Sequence, residues 1–126
     1  MPSTRLVLDH AGLVVSDFVA SCAFYEAALR PLGFILLNPS EKRASFGLKG
    51  ADDFGITEGL PVTHNAHIAF VAHSEDAVRA FYASALSAGG QDNGAPGLHP
   101  EYHPSYFAAF VFDPDGNNIE AVFHGR

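Results

Sequence analysis

Apolar and polar positions along the chain fall into short strand-like runs and helix-spaced blocks, and the pattern occurs twice. Leu6 to Val15 is an apolar, β-branched run and predicts a strand. Asp17 can cap a following helix, in which Phe18, Cys22, Tyr25 and Leu29 recur at helical spacing, and Pro31 and Gly33 end it. Phe34 to Leu37, Arg43 to Leu48 and Phe54 to Thr57 are short strand candidates separated by turn residues. The second pass runs through a strand from Asn65 to Ala72, then a helix opened by Ser74 with Val78, Phe81 and Ala85 on its buried stripe. Gly89-Gly90 stops that helix, and strands follow at Tyr106 to Phe112 and Asn118 to His124. The two passes align without gaps at an offset of 57 residues, which pairs His10 with His67, Phe24-Tyr25 with Phe81-Tyr82, Leu29 with Leu86 and Gly33 with Gly90.

The pattern predicts βαβββ twice. This is an α+β chain whose helices lie on one side, the outer face, of curved mixed sheets. One domain over 1–126 is expected, with module one at about 6–60, module two at about 64–124, and a joint around Pro61. Gln91 to Ser105 carries Gly94, Pro96, Gly97, Pro100 and Pro104. It reads either as a long binding loop or as an irregular edge strand. Asp113-Pro114-Asp115-Gly116 is turn chemistry between the last two strands, and no catalysis is assigned to it.

Composition narrows the partners. Seven Lys and Arg against fourteen Asp and Glu give a formal charge of -7, which argues against nucleic acid and against an anionic membrane surface. Hydrophobic residues make up 48%, enough for a core. Cys22 is the single cysteine, so no intrachain disulfide is possible, and it reads as a small buried hydrophobe. No apolar stretch approaches a membrane span and no secretory leader is evident, so a reducing, cytoplasmic setting is the expectation.

Strand parity then selects chemistry. Leu8, His10, Gly12 and Val14 share one face of the first strand, and His67, Ala69 and Val71 share the equivalent face of its repeat. On the last strand, Ile119, Ala121 and Phe123 suit packing under helices, which turns Glu120 to the opposite, concave side. A mid-strand carboxylate among apolar neighbours is costly to bury without a partner of opposite charge. His10, His67 and Glu120 are therefore candidate ligands of one divalent transition metal, with positions left open for substrate or water. Whether the two histidines meet within one chain or across two is open. Tyr102, His103 and Tyr106 follow the Gly/Pro segment and are candidate catalytic groups that could close over a site, and plain packing is the competing reading. His124 is a weaker candidate beside Glu120.

Together, Leu8-Asp9-His10-Ala11-Gly12-Leu13-Val14-Val15-Ser16-Asp17, the Phe24-Tyr25 pair, His67-Ile68-Ala69-Phe70 and Asp113-Pro114-Asp115-Gly116-Asn117-Asn118-Ile119-Glu120 resemble the vicinal oxygen chelate superfamily. That group includes glyoxalase I, extradiol ring-cleaving dioxygenases, fosfomycin-resistance enzymes and bleomycin-binding proteins. The segment from Asp92 through Pro104, with Phe107 to Val111, looks like an uncharacterised glyoxalase-like bacterial subgroup in which an Arg often stands where this chain has His99.

The resemblance implies a cup-shaped site around Fe2+, Mn2+, Zn2+ or Ni2+, ligand places at His10, His67 and Glu120, a small oxygenated substrate, and a homodimer. It also implies, for the glyoxalase I branch, a fourth ligand at the place held here by Gly55 or Ile56, neither of which can bind a metal. Strict glyoxalase I activity is therefore disfavoured. A metal-dependent enzyme that chelates two neighbouring substrate oxygens is the first expectation, and a non-catalytic small-molecule binder of the bleomycin-resistance kind is the second.

Overall fold

The computed structural model describes residues 7–125. Its elements run β1 (Ala11–Val15), α1 (Phe18–Leu29), a 3-10 turn (Arg30–Leu32), β2 (Ile35–Leu37), β3 (Arg43–Gly47), β4 (Phe54–Glu58), β5 (His67–Val71), α2 (Glu75–Ser87), β6 (Gln91–Leu98), β7 (Phe107–Phe112) and β8 (Asn118–Phe123). Two four-stranded mixed sheets result, ordered β1-β4-β3-β2 and β5-β8-β7-β6. In each, the outer pair β1·β4 or β5·β8 is parallel and the rest antiparallel. The α+β architecture with a repeated βαβββ unit is thus present.

Each helix starts where the sequence places its cap. The Asp17 carboxylate accepts the Ala20 N–H, and the Ser74 hydroxyl accepts the Ala77 N–H. Either cap contributes about 1 kcal/mol. Gly33, at φ 93°, closes the first helical segment in a left-handed conformation that a side chain would resist. Val78, Phe81 and Ala85 form the buried stripe of α2, as read from the sequence. On α1 the stripe is wider: Phe24 and Ser21 are buried with Tyr25, whereas Cys22 is only half-buried. The two helices and the inner faces of both sheets share one core, in which Phe70 contacts Phe34 and Phe54 edge-on, at 5.4 and 5.3 Å between ring centroids.

The structure sharpens three readings. The first strand begins at Ala11 and leaves His10 just ahead of it, while Leu6 lies outside the described residues. The Gln91 to Ser105 segment is mostly β6, an edge strand with two register shifts around Gly94, followed by a turn. Pro96 is tolerated there because an edge strand has an unpaired side. The Asp113 to Gly116 turn does more than reverse the chain. Asp113 is buried and accepts hydrogen bonds from the Tyr25 hydroxyl, the Asn117 side chain and the backbone N–H groups of Asp115 and Asn117. Asp115 accepts from the Ser16 N–H and hydroxyl. The second module's hairpin is thereby bound to the start of the first module's helix.

Candidate functional site

Helices cover one face of each sheet, and the alternation of side chains sends the other residues to the opposite face. On the first sheet that face is small and polar. Gly12, Arg43, Ser45, Gly55 and Thr57 line a cavity of about 650 Å³, with His10 at its end. On the second sheet, His67, Ala69 and Glu120 stand beside one another on β5 and β8, and Phe110 faces Glu120 from β7.

Glu120 is only 1% exposed, a carboxylate between apolar strand neighbours. Its partners are on the same face. His67 Nε2 lies 2.8 Å from Oε1, and the Tyr106 hydroxyl donates to Oε2. A buried carboxylate left without such partners would cost several kcal/mol. Burial, then the hydrogen bond to Glu120, push the Tyr106 phenol well above the usual tyrosine range, so it stays a donor at neutral pH.

The turn after β6 roofs this pair. The His99 N–H bonds the Tyr106 carbonyl at 2.7 Å, which extends the pairing of β6 with β7 by one residue and closes the hairpin. Tyr102 and Tyr106 rings lie 4.8 Å apart, and His99 stacks on Tyr102. The His99 side chain also bonds Glu101, and this bond chiefly holds the Glu101 carboxyl below its ordinary range. His103 Nε2 bonds His124 Nδ1 at 2.9 Å while its Nδ1 accepts the Ser105 N–H, so His103 is the donor within the pair. Both rings abut Tyr106.

Of the residues singled out in the sequence, His67, Glu120 and Tyr106 come into direct contact. Tyr102 and His103 sit around Tyr106, with ring centroids 4.8 and 5.4 Å from its own. His10 does not join them: its ring pairs with Asp9 at 2.7 Å, and its side chain is 70% exposed. Among the described residues, no three His, Cys, Asp or Glu side chains group closely enough to hold a metal ion. Strand register also locates the place of the missing fourth carboxylate. Gly12 pairs with Gly55 as Ala69 pairs with Glu120, and Gly12 and Ala69 are repeat equivalents. That place is Gly55, whereas Ile56 points into the core. Glu58, at the end of β4, accepts the Phe18 N–H and pairs with Lys42, so it serves the start of α1.

The comparisons agree with this architecture. The family model for the glyoxalase/bleomycin resistance protein/dioxygenase superfamily matches residues 7–121. A glyoxalase/bleomycin resistance protein from Albidiferax ferrireducens has 29% identity and a TM-score of 0.79, with 92% of this chain and 97% of that chain covered. A glyoxalase-related enzyme from Fulvimarina pelagi has 21% identity and a TM-score of 0.71, with 95% and 88% covered. A family enzyme from Burkholderia phytofirmans has 18% identity and a TM-score of 0.70, with 92% and 97% covered. The last two, at this identity, speak to the fold alone. No curated protein matches the sequence. No helix among the described residues is long and apolar enough to cross a membrane. With two βαβββ units and a family match along nearly its whole length, the chain belongs to the glyoxalase/bleomycin resistance protein/dioxygenase superfamily.

Proposed function

We propose that this chain is a divalent-metal-dependent enzyme of glyoxalase or dioxygenase type, acting on a small oxygenated molecule as a cytoplasmic homodimer. In this reading the ligands are His67 and Glu120 of one copy and His10 of a second copy. The observation that carries it is the buried Glu120–His67 pair, 2.8 Å apart with Glu120 1% exposed. An imidazole and a carboxylate suit a divalent transition metal, and one such pair supplies two donors of a three-donor set. Within one chain the set is incomplete, because His10 opens on the face of the other sheet. The two uncovered faces supply the remedy. In an isologous pair, the first-sheet face of each copy can cover the second-sheet face of the other, which brings a His10 to each His67–Glu120 pair.

A bound ion would polarise two neighbouring oxygens of a substrate as a Lewis acid. The protein's own groups do the rest. Tyr106 donates to Glu120 and holds that carboxylate in orientation. Tyr102 and His99 wall the site on the solvent side and limit water. The small residues Gly12, Gly55 and Ala69 leave room above the ligands. Tyr106, His103 and Tyr102 are the groups near enough to move a proton, and strict glyoxalase I chemistry is disfavoured by Gly55. A non-catalytic binder is the second reading, favoured by the occupation of both Glu120 oxygens within the chain.

Metal analysis separates the two. Purified protein offered Fe2+, Mn2+, Ni2+ and Zn2+ in turn should retain at least one, and Glu120→Gln should lose it. Retention of none would end the enzyme reading and leave the binder.

A further inference from the structure

A second cavity, of about 330 Å³, opens at the seam where the start of β1 meets β5. Its lining includes the core-facing Phe54, Ile68 and Phe70 together with Ala69 and Val71 of β5, but neither His67 nor Glu120. Its size falls within the range of small-ligand sites. Its chemistry is unusual for a gap between packed sheets. Phe34, Phe54 and Phe70 wall it with aromatic rings set edge-to-face, and Leu48 adds aliphatic surface. Asp9 and Asp53 stand on its rim, and among the described residues no Lys or Arg side chain lines it. Asp53 uses only its Oδ2 within the chain, to accept the Leu48 N–H at 3.0 Å, so Oδ1 accepts no protein hydrogen bond among the described residues. His10 and His73 are also at the rim, with His10 paired to Asp9.

Aromatic walls with a carboxylate rim, in a chain of formal charge -7, favour one ligand chemistry. Ring faces attract a cation that has shed its water, and the carboxylates supply the opposite charge. An anion would meet repulsion from both. A strongly hydrated metal ion would find too few oxygens and an apolar wall.

We propose that the seam cavity binds a small organic ammonium ion, with its apolar body against Phe34, Phe54 and Phe70 and its charged head toward Asp53. This site shares His10 at its rim with the metal reading, but it needs neither His67 nor Glu120 and survives the failure of that reading. The ligand class is an amine or quaternary ammonium with a single ring or short branched chain.

The test is a titration of the full chain, followed by backbone amide NMR shifts, with benzyltrimethylammonium, neutral benzyl alcohol and anionic phenylacetate. Expected are shifts centred on Phe34, Leu48, Asp53 and Phe70, and binding of the cation at least about tenfold tighter than either comparator. Asp53→Asn should weaken the cation about fivefold or more without affecting metal retention. Because that variant alters the contact with Leu48, Asp9→Asn, at a well-exposed position, is the second arm and should weaken binding to a smaller degree with the melting temperature unchanged. Glu120→Gln should leave cation binding intact, so loss of metal with retained cation binding sinks the metal reading alone. Equal binding of the three probes, binding of none, or shifts centred on His67 and Tyr106 would overturn the proposal. A seam closed by a second copy gives the null result and overturns it too.

Discussion

The two modules start from the same sequence plan and end with different faces. In the first, the uncovered side of the sheet presents Gly12, Ser45, Gly55 and Thr57, and its histidine stands free of the strand. In the second, the equivalent side holds His67 against a buried Glu120 and is roofed by Tyr102, Tyr106 and His99. The backbone register is the same: Gly12 opposite Gly55, Ala69 opposite Glu120. One side chain, present at 120 and absent at 55, therefore decides which module carries a charged centre. The difference shows how a duplicated scaffold diverges: one module carries a buried Glu120 paired with His67, while the other keeps a small-residue surface.

The tyrosines diverge in the same way. Tyr25 is buried and donates to Asp113, whereas its repeat partner Tyr82 reaches Asp92 on the surface. Burial, then the nearby Asp113 charge and hydrogen bond, hold the Tyr25 phenol far above its ordinary value.

The largest expected effect is on Glu120. Glu120→Gln should reduce metal retention by more than the roughly 10–100-fold typical of altering a supporting partner, read by metal content after dialysis. Next is His67→Ala, which leaves a buried carboxylate with one partner and should cost on the order of 3 kcal/mol in denaturant unfolding. The mirror substitution His10→Ala, at an exposed position, should change stability by less than about 0.5 kcal/mol. Equal costs would mean the two faces are not as different as they look.

Tyr25→Phe follows, at about 1–3 kcal/mol, since it leaves the buried Asp113 short of a donor. Tyr82→Phe should leave the melting temperature unchanged. The Tyr25 effect has a pH signature. Its folded value lies above the unfolded one, so its contribution is fully present below about pH 10 and declines as pH rises beyond that. An alkaline series of melts should therefore show wild type and Tyr25→Phe converging above pH 10.

The smallest effect is Gly55→Glu. A Cβ at Gly55 would meet Ala44 O at 3.7 Å and Ser45 Oγ at 3.9 Å, ordinary contacts, so the side chain can be accommodated. The variant should fold and, if the first-sheet face covers the metal, tighten metal binding by a few-fold.

Much of this was legible from residue order. Alternation along the last strand separated Ile119 and Ala121 from Glu120, and the repeat offset found His67. Both rest on local periodicity, which a strand enforces. What periodicity does not encode is how two sheets sit against each other. Hence His10, on the correct face by parity, gave no sign that it would stand apart from Glu120 in the same chain. The role of Asp113 was hidden for a related reason: Asp-Pro-Asp-Gly explains itself as a turn, and its bond to Tyr25 spans 88 residues. The β6 edge was obscured by Gly94, Pro96 and Gly97, whose composition signals loops while the backbone still pairs with β7. Tyr106 was singled out as a group near a site, but its bond to Glu120 depends on the turn that His99 closes.

The central claim, that two copies share each centre, has a direct measurement. His10→Ala protein and Glu120→Gln protein, each expected to hold no metal alone, are mixed under conditions that exchange subunits, and bound metal per mixed dimer is counted. In a mixed dimer, the intact His67 and Glu120 of one copy face the intact His10 of the other. Recovery of one ion per mixed dimer is the predicted result, and no recovery in a demonstrated mixed dimer would contradict it.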